Sequence, residues 1–543
     1  MKMLNVTALC VASQLLAAAA MAQPTDTISA SHLSADVKIL ASDEFEGRAP
    51  GTAGETKTIA WLTSRLQAIG LEPAGPGGAW TQPVSLVRTQ LGEGTISAGG
   101  EPLVFGKDIY GSSLRPIDRV AIADAPMVFV GYGVSAKERD WDDFKGVDLK
   151  GKVAVMLVND PDFEATQSDD STGRFGGKRM TYYGRWVYKY EEAARRGAIA
   201  ALIVHDTPGA GYGWDTVNAP RGENYDIAGS KGRLMLQGWL HGDAARTLFK
   251  GAGLDLDALR TASRRSDFKP VELAGQKFSA NIPVTHNVVQ SQNVLARLPG
   301  AGKPGEYVMY GAHWDAYGVG APDARGKTIR SGANDDAIGV AGLLEIARAF
   351  KAGPRPDRSI LFGFWTAEER GLLGSEAYAL NPVVQSGSVA ANITLDILNT
   401  GGPSRDVMLV GQGQNSLEND LADAARQQGR VVTPEALPER GLFYRADHFP
   451  MAKRGVPTLL LMAISGAPDL VKGGRDAGKA WLEGYMKCYH QTCDEWSEDL
   501  DFDSVAADVE LAYSVGRRIS KANYWPTWNE GSEFRAVREE SRK

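Results

Sequence analysis

His313, Asp335, Glu369, Asp396 and His490 are residues of the types that bind divalent cations, and Glu368 lies directly before the third of them. They occur in the segments YGAHWDAYG, SGANDDAIG, WTAEERGLLGS, TLDILN and CYHQTCDE. Two imidazoles with three carboxylates form a mixed nitrogen and oxygen set suited to a pair of zinc ions. Two Zn²⁺ ions leave a residual positive charge over three carboxylates and two neutral imidazoles, which favours deprotonation of a bound water near neutral pH. Hydrolysis also needs a carboxylate held off the metals. Glu368 is the candidate general base, taking the water's proton and passing it to the leaving group.

Each of these signals has an ordinary reading. A histidine at a strand end is commonly packed or exposed, paired glutamates suit a helix start, and NDD is common turn chemistry. Asp396 is harder to dismiss, because a carboxylate within an apolar strand needs a compensating partner. Joint occurrence makes the set specific. Asp315 and Asp494 lie close enough in sequence to His313 and His490 to orient their rings. Gly332 and Gly339 bracket Asp335-Asp336 in a tight loop leading into a helix.

The elements that must carry these residues follow from hydropathy. After about Pro283 the rhythm is strand, loop, helix, with near-continuous apolar runs YVMYGAH, SILFGFW, NITLDIL and TLLLM. Such runs suit strands buried on both faces of a mostly parallel sheet. Helices are expected at about Ile338–Phe350, Leu372–Ala379, Leu417–Gln428 and Ser504–Lys521. His313, Glu368, Glu369 and Asp396 then fall at or near the carboxyl ends of strands, where open α/β sheets bind ligands. Earlier, Ile59, Leu62, Leu66 and Ile69 mark a helix stopped by Gly70. From Pro126 short apolar runs (PMVFVGYGV, KVAVMLV, AALIVHD) and the stretch VYKYEEAARRG read as a smaller β-rich region with one or two helices. The tail after Tyr524 reads as polar and peripheral.

A chain of 543 residues exceeds one hydrophobic core. Its net charge of −7 argues against nucleic acid or an anionic membrane surface as partner. Lys2, an apolar stretch and Ala20-Met21-Ala22 read as a signal peptide over 1–22, implying export to the periplasm or the extracellular space. Beyond it only Cys488 and Cys493 remain, flanking His490. An oxidising compartment permits a disulfide there, and two buried free thiols are the alternative.

GAHWD, GANDD, AEERGLLGS, LDILN and YHQTCDE resemble the successive metal motifs of the zinc-dependent aminopeptidase and glutamate carboxypeptidase family. SDEFEGRAPGTAGE and DHFPMAKRGVPTLLLM resemble further segments of that family. FVGYGV through AALIVHD resembles the protease-associated domain often inserted in it. The resemblance implies a zinc-aminopeptidase-like α/β catalytic domain over 23–115 and 286–543 with a β-rich insert over 116–285. It implies two zinc ions: Asp335 shared between them, His313 and Asp396 completing one site, Glu369 and His490 the other. It further implies Glu368 as general acid/base, Asp315 as orienter of His313, and a cis bond between Asp335 and Asp336. Of Phe443 and Tyr444, Tyr444 is the preferred match for a tyrosine that steadies the oxyanion. Ala446 stands where the family frequently has serine. His448 is read either as lining the pocket or as bonding a loop, and Arg445 as meeting a substrate carboxylate or only Asp447.

The expected activity is release of amino-terminal residues from peptides or proteins. A glutamate carboxypeptidase-like exopeptidase or dipeptidase is the alternative. Glutaminyl cyclisation, expected to use one zinc, and a non-catalytic receptor-like ectodomain both fit poorly with a full ligand set.

Overall fold

A computed structural model describes residues 28–543; the expected leader over 1–22 lies outside them. The apolar runs form a mostly parallel sheet flanked by helices. In spatial order it contains Thr458–Leu461, Val389–Leu395, Lys303–His313 and Arg358–Trp365, all parallel, followed by the antiparallel strand Val271–Leu298. Register sets His313 opposite Trp365 and Gly311 opposite Thr394, so the strands end together on one edge. Asp396 follows the last residue of its strand and Glu368 comes three residues after Trp365.

The helix Ile338–Ala352 packs on this sheet with most of its residues buried, which is why GANDDA runs straight into it. The helix Phe502–Lys521 covers the same layer. Its Gly516 is required by a close approach: a Cβ there would lie 1.8 Å from the Tyr310 hydroxyl, which donates to Ala512 O at 3.0 Å. Gly516→Ala gains about 1 kcal/mol of helix propensity. It also forces overpacking worth about 1–3 kcal/mol and displaces a buried hydrogen bond worth about 1 kcal/mol. A net loss of about 1–3 kcal/mol is expected, read as a lower denaturant midpoint with an unchanged slope.

Val271–Leu298 joins two sheet regions. Its Val284–Val294 stretch pairs with Thr81–Leu91, whereas Val271–Pro283 pairs with Arg119–Phe129. The second region continues through Val153–Leu157, Ala200–Val204 and Leu236–Leu240, all parallel. The boundary expected between 285 and 286 therefore falls inside one continuous strand. On the amino side Thr95–Ala98 already belongs to the second region, ahead of the expected boundary at 115. That region also carries more helix than expected, including Trp186–Arg195, Gly242–Gly251 and Leu256–Ala262. No helix among the described residues is long and apolar enough to cross a membrane.

The tail is a correction. Trp528 and Phe534 are buried with Phe443, Tyr444 and Phe449, and Arg538 donates to Ser386 O and Val389 O. Two aromatics spaced by polar residues carry no periodicity, so a packed segment reads as peripheral.

Candidate metal centre

Five side chains from four loops and one strand end meet at the carboxyl edge. His313 Nε2 lies 3.1 Å from Asp335 Oδ1, and His490 Nε2 lies 3.2 Å from Asp335 Oδ2 and 3.1 Å from Glu369 Oε2. The ligand atoms of His313, Asp335 and Asp396 lie within 4.8 Å of one another, as do those of Asp335, Glu369 and His490. Asp335 belongs to both groups. Glu368 belongs to neither, and its Oε2 stands 3.9 Å from His313 Nε2.

The loops are held by specific bonds. The Asp335–Asp336 peptide is cis. Asp494 accepts from Asn334 N at 3.0 Å and from Asp335 N at 3.1 Å, so its carboxylate fixes the loop of the shared aspartate rather than the His490 ring. The Asn334 side chain bonds both backbone groups of Leu398, linking that loop to the Asp396 segment. Asp315 meets His313 Nδ1 with its backbone carbonyl at 3.0 Å, while its carboxylate, 3.6 Å from the ring, accepts from Glu368 N at 3.0 Å. Asp315 therefore ties the general-base candidate to the His313 loop. Ala367, Ile397 and His490 all have left-handed backbone (φ 52, 59 and 63), conformations that persist where surrounding contacts impose them. A Cys488–Cys493 disulfide closes the turn that presents His490.

Arg48 lies beneath the loops, fully buried. It donates to Leu40 O, Trp314 O, Ser331 O and Gly332 O, tying the His313 segment to the start of the Asp335 loop. Burial pushes this guanidinium down to about 10, opposed by Asp315, Asp494, Asp336 and Asp335. Arg48→Met strands four carbonyls and leaves the acids without their fixed countercharge. A loss of about 3–5 kcal/mol is expected in chemical unfolding of the metal-free protein.

Metal ions fit this donor set. Asp396 Oδ1 is buried with no hydrogen-bond partner among the described residues. Burial, then Asp335, push the Asp396 carboxyl well above the usual carboxylate range. Burial, then Asp396 and other acids, do the same to Glu368, opposed by His313. Packed carboxylates with too few cations call for positive charge at their centre.

Tyr444 does not face this centre. Its hydroxyl donates to Glu533 at 3.0 Å and its ring packs on Phe449. Of the hydroxyls that feel the cluster, which include those of Tyr317 and Tyr485, one belongs to Tyr489, whose ring centroid is 3.6 Å from that of His490. Burial, then Asp335, push it well above 10, with Glu369 and Glu368 adding to the rise. Its place directly before His490 was the available signal. His448 is fully buried against Phe443. Asp447 accepts from Ser375 Oγ, not from Arg445.

Residues 293–514 match the model of Peptidase family M28 and enclose all five candidate ligands. Leupeptin-inactivating enzyme 1 of Streptomyces exfoliatus is 29% identical over 229 residues, 41% of this chain and 47% of that protein. A glutamate carboxypeptidase 2 homolog of Caenorhabditis elegans is 24% identical over 392 residues, 62% of this chain and 45% of that protein. The chain thus covers under half the length of each. A solved aminopeptidase from Aneurinibacillus sp. strain AM-1 shares the fold with a TM-score of 0.50 at 20% identity, covering 90% of this chain and 94% of that one.

Proposed function

Through residues 293–514 the chain belongs to peptidase family M28, and from that premise we propose that it is a zinc aminopeptidase with two zinc ions per chain. The observation that carries this reading is Asp335, within 3.2 Å of both histidines and common to both ligand groups. His313 and Asp396 would complete one metal position, Glu369 and His490 the other. When bound, the pair supplies Lewis-acid polarisation and acidifies water. The chain's own residues supply the rest. Glu368, fixed through its backbone to Asp315, takes the proton and delivers it to the departing amine. Tyr489 offers its hydroxyl to the charge that develops on the carbonyl oxygen.

Release of amino-terminal residues is tested with aminoacyl nitroanilides against N-blocked dipeptides. Hydrolysis of free-amine substrates is expected, and cleavage of the blocked peptides alone would overturn it. The second reading is a carboxypeptidase-like exopeptidase or dipeptidase, favoured by Arg445, which is half-buried and has no carboxylate partner among the described residues. Export is proposed from the leader over 1–22, and the Cys488–Cys493 bond supports an oxidising compartment. Residues 116–285 are proposed as the core of a protease-associated insert, with the strand pairing of Thr95–Ala98 extending it toward the amino terminus.

A further inference from the structure

Glu55 is 5% exposed, and a glutamate so buried normally answers a cation. No cation pairs with it among the described residues. Burial pushes its carboxyl up to about 7; hydrogen bonds from Gly51 N and the Ser291 hydroxyl hold it down, and Asp315 adds to the rise. Glu55 is the third residue of the helix Ala53–Ile69, whose N-cap Thr52 accepts from Glu55 N. Its Oε2 accepts in return from Gly51 N. Glutamine fills such a capping role equally well, so the cap does not account for a buried charge.

Beyond the cap, the carboxylate reaches Ser291. Both of its oxygens lie 3.1 Å from Ser291 Oγ, and Ser291 Oγ lies 2.5 Å from Thr366 Oγ1. An ionised carboxylate only accepts, so Ser291 donates to Glu55 and itself accepts from the Thr366 hydroxyl. The three groups form a chain with one direction, ending on the charge of Glu55. Thr366 is fully buried and its backbone is fixed as well, N donating to Asn293 Oδ1 at 3.1 Å and O accepting from Gly374 N at 2.9 Å. The next residue is Ala367, whose left-handed φ of 52 turns the chain into Glu368 and Glu369. Ser291 and Asn293 flank Gln292, whose carbonyl accepts from Trp314 Nε1 beside His313. One stretch of strand thus stands under both loops, and Glu55 ties it to the start of the helix Ala53–Ile69.

We propose that Glu55 is a positioning residue: acting through Ser291 and Thr366, it sets the turn at Ala367 and hence the direction in which Glu368 points. The proposal rests on the peptidase reading, in which Glu368 carries the proton. Glu55 belongs to neither ligand group, so its replacement should leave the metals in place. E55Q keeps the side chain's size and an acceptor for Gly51 N, and exchanges the charge-assisted bond to Ser291 for a weaker neutral one.

The test measures kcat and KM for leucyl nitroanilide on the zinc-loaded protein at pH 8, where Glu55 is ionised. E55Q, S291A and T366V are each expected to lower kcat about 10-fold, a fraction of the roughly 10²-fold that a misplacement of about 1 Å brings. KM should stay within about threefold and zinc content should not change. T366S keeps the hydroxyl and should keep most of kcat. Adding E55Q to S291A should lower kcat no further, because Glu55 then has no route to Thr366. In E368Q, which lacks the group being positioned, none of the three changes should have any effect. S291A and T366V leave the helix cap intact and carry the test where E55Q loosens the helix start. Crystals of zinc-loaded E55Q and S291A should show Glu368 displaced from its 3.9 Å separation from the His313 ring, with His313 and Asp335 in place. Full kcat in E55Q, a loss that persists in E368Q, or an unmoved Glu368 in both variants overturns the proposal. The crystals need no turnover: a wild-type protein inert toward every peptide would sink the peptidase reading and leave the position of Glu368 to decide this one.

Discussion

Glu368→Gln is expected to lower kcat by about 10²–10⁴-fold while both zinc ions stay bound, the range found when a general acid/base is removed. The geometry separates the two effects. Glu368 is outside both ligand groups, and its position is set by Asp315 accepting from its backbone N–H, a bond that glutamine keeps. Glutamine also preserves the side chain's size and hydrogen-bonding shape but cannot carry the proton. Metal content and turnover should be measured on one preparation. Full activity in the variant, or loss of activity together with loss of metal, would remove Glu368 from the role assigned to it.

The second large effect is expected at Asp335. Asp335→Ala removes the one carboxylate among the described residues that reaches both histidines, so zinc content should fall at both positions. Several kcal/mol of transition-state charge stabilisation go with the metals, and about 1.4 kcal/mol is tenfold in rate, so activity should drop by at least about 10³-fold. Asp396→Asn is the informative contrast. Asp396 belongs only to the group with His313, so one zinc should remain with Glu369 and His490. Equal metal loss in the two variants would contradict a shared Asp335.

The candidate site was legible in the sequence where a ligand lies next to an apolar strand. His313, Glu368, Glu369 and Asp396 declare themselves because strand hydropathy is local and the parallel arrangement sends all carboxyl ends to one edge. The four helices expected after Pro283 were read to within about two residues, the ordinary precision of such boundaries, whereas Ala30–Leu40 and Gly242–Gly251 were not read. The helix Gly474–Met486 escaped because Gly478 is its only buried residue, leaving no apolar stripe to detect. Arg48 escaped for a different reason. An arginine in sequence reads as solvated, and only tertiary packing reveals four carbonyls around this one. Asp494 was placed near the correct loop but given the wrong partner, since adjacency to His490 says nothing of a bond to Asn334 and Asp335 across 160 positions. Tyr444 was misdirected by a neighbouring motif, and its hydroxyl is spent on Glu533.

The most direct test of the account is anomalous diffraction at the zinc edge from crystals of the zinc-loaded chain. Two peaks are predicted, one against His313 and Asp396, the other against Glu369 and His490, with Asp335 touching both. A single peak, or metal bound away from Asp335, would contradict it.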